Sequence, residues 1–245
     1  MSDPTAAVVD REQRLSQINA ELEKRNLRSL HKLGDASKGE IELLGIQAIY
    51  DHSARFFTDV KFDCLFPNGK TGEFTLRFNA SSRVSEGAVI VAVVNGRFAV
   101  VKQWRPALGL WTHEVPRGFG EKIDSACIAG TFGTLKIGDL PLGTLARELG
   151  EEVMASAEIT SVTHLGNVAQ DSGTHTSIPS YFLILVRADE SKLDERLRGS
   201  DDEVAKVLLW DAKQVRAEIG KRLRDNHSIT ALCLALNYID SLPRP

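Results

Sequence analysis

Apolar positions change their period along the chain, and the changes divide it into segments. Between Asp10 and about Leu33 they recur at helical spacing, with Leu15, Ile18 and Leu22 on one face and Leu27 and Leu30 continuing a drifting stripe. This predicts a helix, too short to define a coiled coil, that packs on this chain or on a partner subunit. "LGDASKGE" then supplies a break. From Ile41 to Ala80 the pattern turns to strands: "IELLGIQAIY", "FFTDVKFDCLF" and "GEFTLRFNA" are rich in β-branched and aromatic residues. The last two are separated by "PNGK", whose Asn68-Gly69 suits a hairpin turn. A second hairpin follows, "AVIVAVV", Asn95-Gly96, "RFAVVKQW", and the Val/Ile run of its first strand predicts burial on both faces.

Beyond Gly118 come a Gly-rich segment, an acidic helix at "LARELGEEV" and strand material in "ITSVTHLGN" and "SYFLILVRA". "AKVLLWDAKQV" reads as a last strand turning into a helix. The chain closes with "SITALCLALNYIDSL", where Ser228 suits an N-cap and Ile229, Leu232, Cys233, Leu236 and Ile239 keep helical spacing. The expected architecture is an α/β (α+β) domain, residues 86–245, behind an N-terminal lobe. That lobe comprises a helix and linker, residues 1–38, and a β-hairpin portion, residues 39–85, a candidate dimerisation element.

A chain of 245 residues has length enough for one large domain or a lobe plus a main domain. Its net charge of −3 gives no general attraction to nucleic acid or an anionic membrane, so an anionic ligand would need a local cation or a few placed arginines. The cysteines, Cys64, Cys127 and Cys233, are far apart and form no C-x-x-C pair, which argues against a disulfide framework and a zinc site. "MSDPTAAVVDREQRL" lacks the pattern of a secretion signal, and no apolar run reaches membrane-spanning length. The expectation is a cytoplasmic protein without nucleic-acid or membrane partners.

In the acidic helix, Leu142, Leu145, Leu149 and Val153 form one face, while Glu148 and Glu152 stack four apart with Glu151 beside them. Pro141 fits the first turn, and Arg147 lies four residues before Glu151. Spacing alone leaves two readings open. One is a solvated acidic face, common on helices. The other is a cluster of oxygen ligands without His or Cys, which suits Mg²⁺, with Mn²⁺ as a substitute.

"RELGEEV" resembles the helical half of the Nudix box, G-x5-E-x7-R-E-U-x-E-E-x-G-U, with Arg147, Glu148, Leu149, Glu151 and Glu152 in register. Upstream, "QWRPALGLWTHEVPRGFGE" resembles the segment that precedes the box in the ADP-ribose pyrophosphatase branch, through Gln103, Arg105, Pro106, Trp111, Glu114, Pro116 and Gly118. The closing "RDNHSITALCLAL" is similar to that branch's last helix, so the resemblance runs from about Ile41 to Ile239. There are departures. Gly118, ending "PRG", is the counterpart of the box glycine, and residues 119–138 then stand where the box has five positions, which makes an insertion. Gly133 matches by accident, Asp139 replaces the usual Glu, and Met154 replaces the glycine that stops the helix.

The resemblance implies a Nudix-type mixed sheet sandwiched by helices and a Mg²⁺-dependent hydrolase acting on the pyrophosphate bond of a nucleoside diphosphate linked to a second group. ADP-ribose is the first candidate and nucleotide sugars the next. It implies metal binding by Glu148 and Glu152 with the carbonyl of Arg117, a ligand or water-orienting role for Glu151, and a bracing role for Arg147. Arg105 and Glu114 would contact substrate, and Glu203, with Asp202 behind it, is the candidate general base, unless these acids merely cap a surface loop. Trp104, Trp111, Tyr50, Phe56 and Phe57 could stack on a base, with core packing the default. Because the lobe in this branch commonly builds a homodimer and lends residues to the partner's site, Tyr50 and Phe57 are favoured. Asp171 and His175 stand in a loop that either touches substrate or is solvated. The sequence shows no P-loop Lys-Ser/Thr and no serine-nucleophile elbow. The alternative from another class is a Nudix-fold module that binds a nucleotide without cleaving it.

Overall fold

The computed structural model describes residues 4–51, 57–79, 87–105, 108–118, 158–189 and 204–243. These fall into two compact units, residues 1–86 with 171–177, and residues 87–170 with 178–245.

The first unit opens with α1, Pro4–Glu23. The predicted helix to Leu33 is too long, and the reason is local. Asn26 takes a left-handed φ of 57°, its N–H bonds to the Glu23 carbonyl at 2.9 Å, and the Leu27 N–H bonds to the Leu22 carbonyl at 3.0 Å. This paired closure ends the helix and satisfies carbonyls that would otherwise be orphaned. Asn19 then fixes Leu30 from both sides, accepting from its N–H at 2.8 Å and donating to its carbonyl at 3.0 Å. Leu27 and Leu30 therefore reach the core from a turn, in a register that mimics a helical stripe.

Against this half packs an antiparallel meander, β1 (Glu42–Asp51), β2 (Phe57–Leu65) and β3 (Thr71–Asn79). The β2–β3 turn uses Gly69 at φ 78°, as the Asn-Gly pair predicts. Ile18, Leu22, Leu27 and Leu33 meet Leu43 and alternate residues of β2, Val60, Phe62 and Cys64, together with Phe78. Above that core lies a charged clamp. Arg11 donates to Glu42 at 3.1 Å and to Asp35 at 3.0 Å, and Arg14 donates to Glu42 at 2.8 Å. Residues 171–177 complete the unit at β3, where the Arg77 N–H donates to Thr174 and its carbonyl accepts from Thr176.

The second unit is built on a mixed sheet in the order β10–β5–β4–β9–β8. Its strands are β4 (Ala88–Val94), β5 (Arg97–Arg105), β6 (Leu110–Glu114), β7 (Arg117–Gly118), β8 (Glu158–Asn167), β9 (Ser180–Arg187) and β10 (Val204–Trp210). β6 extends the sheet beside β5, and β7 pairs with β4. The β4–β9 pairing is parallel and the others are antiparallel. β4 is buried throughout, as its Val/Ile run predicts: Ile90, Ala92 and Val94 join Phe182 and Ile184 on one face, while Val89, Val91 and Val93 join Leu183 on the other. Asn95 and Gly96 close the β4–β5 hairpin at φ 48° and 84°. That is the two-residue turn in which both central residues need positive φ.

Two helices follow β10: α2 (Ala212–Glu218), and α3 (Asn226–Ser241), which lays Ala231, Leu232, Ala235 and Leu236 on the odd-numbered face of β4. Cys233, read as part of that stripe, is exposed, and Cys64 is buried. The α3 N-cap is Asp225, three residues before the predicted Ser228: its side chain accepts from the Ser228 N–H at 2.9 Å. The helix therefore starts three residues earlier than expected, and the serine's own N–H is one of the orphan donors that the aspartate satisfies. The result is a mixed α+β fold, in which no helix among the described residues is long and apolar enough to cross a membrane.

Candidate active site

The β5–β6 hairpin sets the first part of the site. Its register pairs Gln103 with Thr112 and Arg105 with Leu110, so Arg105, Gln103, Thr112 and Glu114 share one side of the ribbon. At the end of this row Arg105 grips Glu114 with two nitrogens: Nε donates to Oε1 at 2.7 Å and the Nη2 amino group to Oε2. Thr112 Oγ1 donates to the same Oε1 at 2.6 Å. Glu114 is only 1% exposed. A carboxylate so buried is tolerable because its charge is matched and its lone pairs are filled.

A second arginine approaches from β7. Arg117 places Nη2 3.4 Å from Glu114 Oε2 and donates from Nη1 to Asp225 Oδ1 at 3.1 Å. Asp225 uses its other oxygen on α3, accepting from both the N–H and the hydroxyl of Ser228 at 2.9 and 2.8 Å. Ser228 Oγ in turn accepts from the Val115 N–H at 3.0 Å. Burial pushes the Asp225 carboxyl up, but Arg117 and the two Ser228 hydrogen bonds outweigh it and hold the group below the usual carboxylate range. Arg105, Glu114, Arg117 and Asp225 thus form an alternating, charge-balanced row across four elements.

On the opposite side of the same ribbon stand Trp104 and Trp111, cross-strand partners whose rings meet edge to face at 5.7 Å. Core packing was the default for both. They are instead 45% and 47% exposed, with the Lys102 ammonium 4.9 Å over the Trp111 ring. Further along, His113 stacks on Trp210 at 5.3 Å, and Arg222 covers that indole at 4.9 Å.

The remaining expected residues divide in two. Tyr50 and Phe57 belong to the first unit, where Tyr50 is 48% exposed and Phe57 lies beneath the Arg77 guanidinium at 5.6 Å, with His175 edge-on at 6.2 Å. Asp171 accepts from the Gly173 N–H and the Thr174 hydroxyl in a local turn. Arg147, Glu148, Glu151, Glu152 and Glu203, with the insertion and Asp139, lie outside the described residues. Among the described residues no group of three His, Cys, Asp or Glu side chains stands ready for a metal ion. Arg117 is described, and its backbone pairs with Val89 of β4.

Thr112 and Asp225 went unrecognised in the sequence, and Ser228 was read only as a helix cap. Alternation along "WTHE" puts Thr112 on the side of Glu114, and "DNHS" carries the cap spacing, but neither pattern names the partner.

Comparison with known proteins bears on family and fold. The family model described as NUDIX domain matches residues 84–230, more than half of the chain. Among solved structures, one described as "Crystal structure of ADP compounds hydrolase" is similar in fold, with a TM-score of 0.54 at 14% identity, covering 82% of this chain and 91% of that one. No curated protein sequence matches the chain.

Proposed function

The chain is a hydrolase belonging to the NUDIX family, and from that premise we propose that it cleaves the pyrophosphate bond of a nucleoside diphosphate linked to a second group, with Mg²⁺ as cofactor. ADP-ribose, giving AMP and ribose 5-phosphate, is the first substrate in this reading, and nucleotide sugars are next. The observation that carries it is that the matched span encloses "RELGEEV", with arginine and all three glutamates in register.

Glu148 and Glu152, with the carbonyl of Arg117, would hold the cation, Glu151 would add a ligand or orient water, and Arg147 would brace the glutamates. Hard carboxylate oxygens are the donors Mg²⁺ takes, and Mn²⁺ would substitute. Bound there, the cation supplies charge neutralisation on the pyrophosphate and a lowered pKa for a water.

The protein's own groups do the rest. Arg105, a quarter exposed, offers its guanidinium to a phosphate oxygen, a contact for which a planar fork of donors is suited. Glu114, which the resemblance implies as a substrate contact, is 1% exposed with its oxygens taken by Arg105 and Thr112, so in this reading it acts from beneath instead, holding Arg105 and Arg117 in place. Glu203 takes the proton of the attacking water. Tyr50 and Phe57 contact substrate from the N-terminal lobe of a second copy, so the working unit is a cytoplasmic homodimer in this reading.

The test is turnover on a panel of ADP-ribose, nucleotide sugars, NADH and diadenosine polyphosphates, with Mg²⁺ and with a chelator. Metal-dependent release of a nucleoside monophosphate, abolished in Glu152→Gln without a change in thermal melting, is the expected result. Silence across the panel with nucleotide binding retained would replace the hydrolase by a nucleotide-binding module.

A further inference from the structure

We propose that Asp225, at the start of α3, is a positioning residue for substrate binding: it fixes Arg117, and through Arg117 the Glu114–Arg105 pair. The proposal rests on the reading of Arg105 given under Proposed function.

Capping does not account for this aspartate. An N-cap needs one acceptor oxygen, and Asn or Ser serves as well as Asp. Asp225 spends only Oδ2 on the cap, where Ser228 donates twice, and directs Oδ1 at Arg117. Its side chain is largely buried, so an ionised group here needs a counter-charge, which Arg117 supplies.

The dependence also runs the other way. Glu114 is already gripped by two nitrogens of Arg105 and by Thr112, and its distance to Arg117 is the longer one, 3.4 Å against 3.1 Å to Asp225. The principal anchor of Arg117 is therefore the helix start. The segment between the two arginines' strands is held there twice, by the Arg117 side chain and by the Val115 N–H on Ser228 Oγ. The same helical turn is tied to β9 through His227 and Tyr181, 2.7 Å apart and both buried, so it is a fixed support. Without the Asp225 charge, Arg117 would turn towards Glu114 and compete with Arg105 for its oxygens.

The experiment compares Asp225→Asn, Arg117→Met and the double variant in the full chain. Asn keeps the cap and removes the charge, so helix content should stay that of the parent while KM for ADP-ribose rises about tenfold, a coupling of ordinary size between contacting residues, and kcat changes less. In the Arg117→Met background, Asp225→Asn should add nothing. Unchanged KM in Asp225→Asn, or an effect that adds in full to that of Arg117→Met, would overturn the proposal. A drop in melting temperature that Asp225→Ser restores along with KM would also overturn it, since Ser caps without charge. A parent chain that neither turns over nor binds ADP-ribose would instead sink the reading of the site, and this proposal with it.

Discussion

The Tyr181 hydroxyl lies 2.7 Å from Nδ1 of His227, and both side chains are buried where β9 meets the first turn of α3. Burial, with the nearby Asp225 charge adding to it and Arg117 opposing, pushes the phenol up to about 12. In the unfolded chain it would ionise near ~10. The group therefore contributes stability that is fully present below about pH 10 and is lost as pH rises towards about 12. Tyr181→Phe should flatten the alkaline fall of melting temperature across that window. A fall of unaltered slope would assign alkaline lability to other groups.

Turn chemistry made the hairpins legible, because the Asn-Gly pairs mark where positive φ is needed, at Asn95 and Gly96 in one turn and at Gly69 in the other. Burial of β4 was legible too: seven apolar residues in a row, most of them β-branched, fit a strand covered on both sides. The end of α1 was not. Leu27 and Leu30 preserve helical spacing, and only the left-handed Asn26 betrays the turn. The exposure of Trp104 and Trp111 was hidden because tryptophan is on average well buried, while exposure is set by what packs on a strand's face and not by the residue type. For the site, the arginine and carboxylate of "QWRPALGLWTHE" were legible as a motif. Their coupling to Asp225 was not, since it joins residues more than a hundred positions apart.

Glu42 is the buried end of the α1 clamp, where burial raises its carboxyl but hydrogen bonds from Arg11 and Arg14 outweigh this and hold it low. A carboxylate held low contributes stability above its unfolded value of ~4.3, and that contribution is lost as pH falls towards the lowered folded value. Glu42→Gln should cost about 1.5–3 kcal/mol at neutral pH, the range for a hydrogen bond to a charged group, and should make the first unit less sensitive to acid. Equal losses at pH 7 and pH 3 in circular-dichroism melts would show that the clamp does not depend on this charge.

Glu203→Gln tests the assignment of the base. An amide cannot accept the proton of the attacking water, so kcat should fall by about 10²-fold or more with KM little altered. The remaining activity should lose its acid limb in a pH–rate profile. An unchanged kcat would move the role to Asp202 or to another element.

Glu114 and Arg105 form one ion pair, yet their removal should have different consequences. In Glu114→Gln the buried charge itself is removed, and the arginines left behind are relieved, Arg105 by water because it is a quarter exposed and Arg117 by Asp225. In Arg105→Met, by contrast, a carboxylate only 1% exposed keeps just Arg117 at 3.4 Å and the Thr112 hydroxyl at 2.6 Å, and removing one partner of a buried pair costs about 3–5 kcal/mol. Arg105→Met also removes the partly exposed guanidinium, and with it a charge-assisted contact to phosphate. Stability should therefore fall at least as much in Arg105→Met as in Glu114→Gln, and KM should rise by more for the stability lost. If both variants lost stability and affinity in the same proportion, the pair would be acting as structure alone, and the substrate's phosphate would have to be received elsewhere.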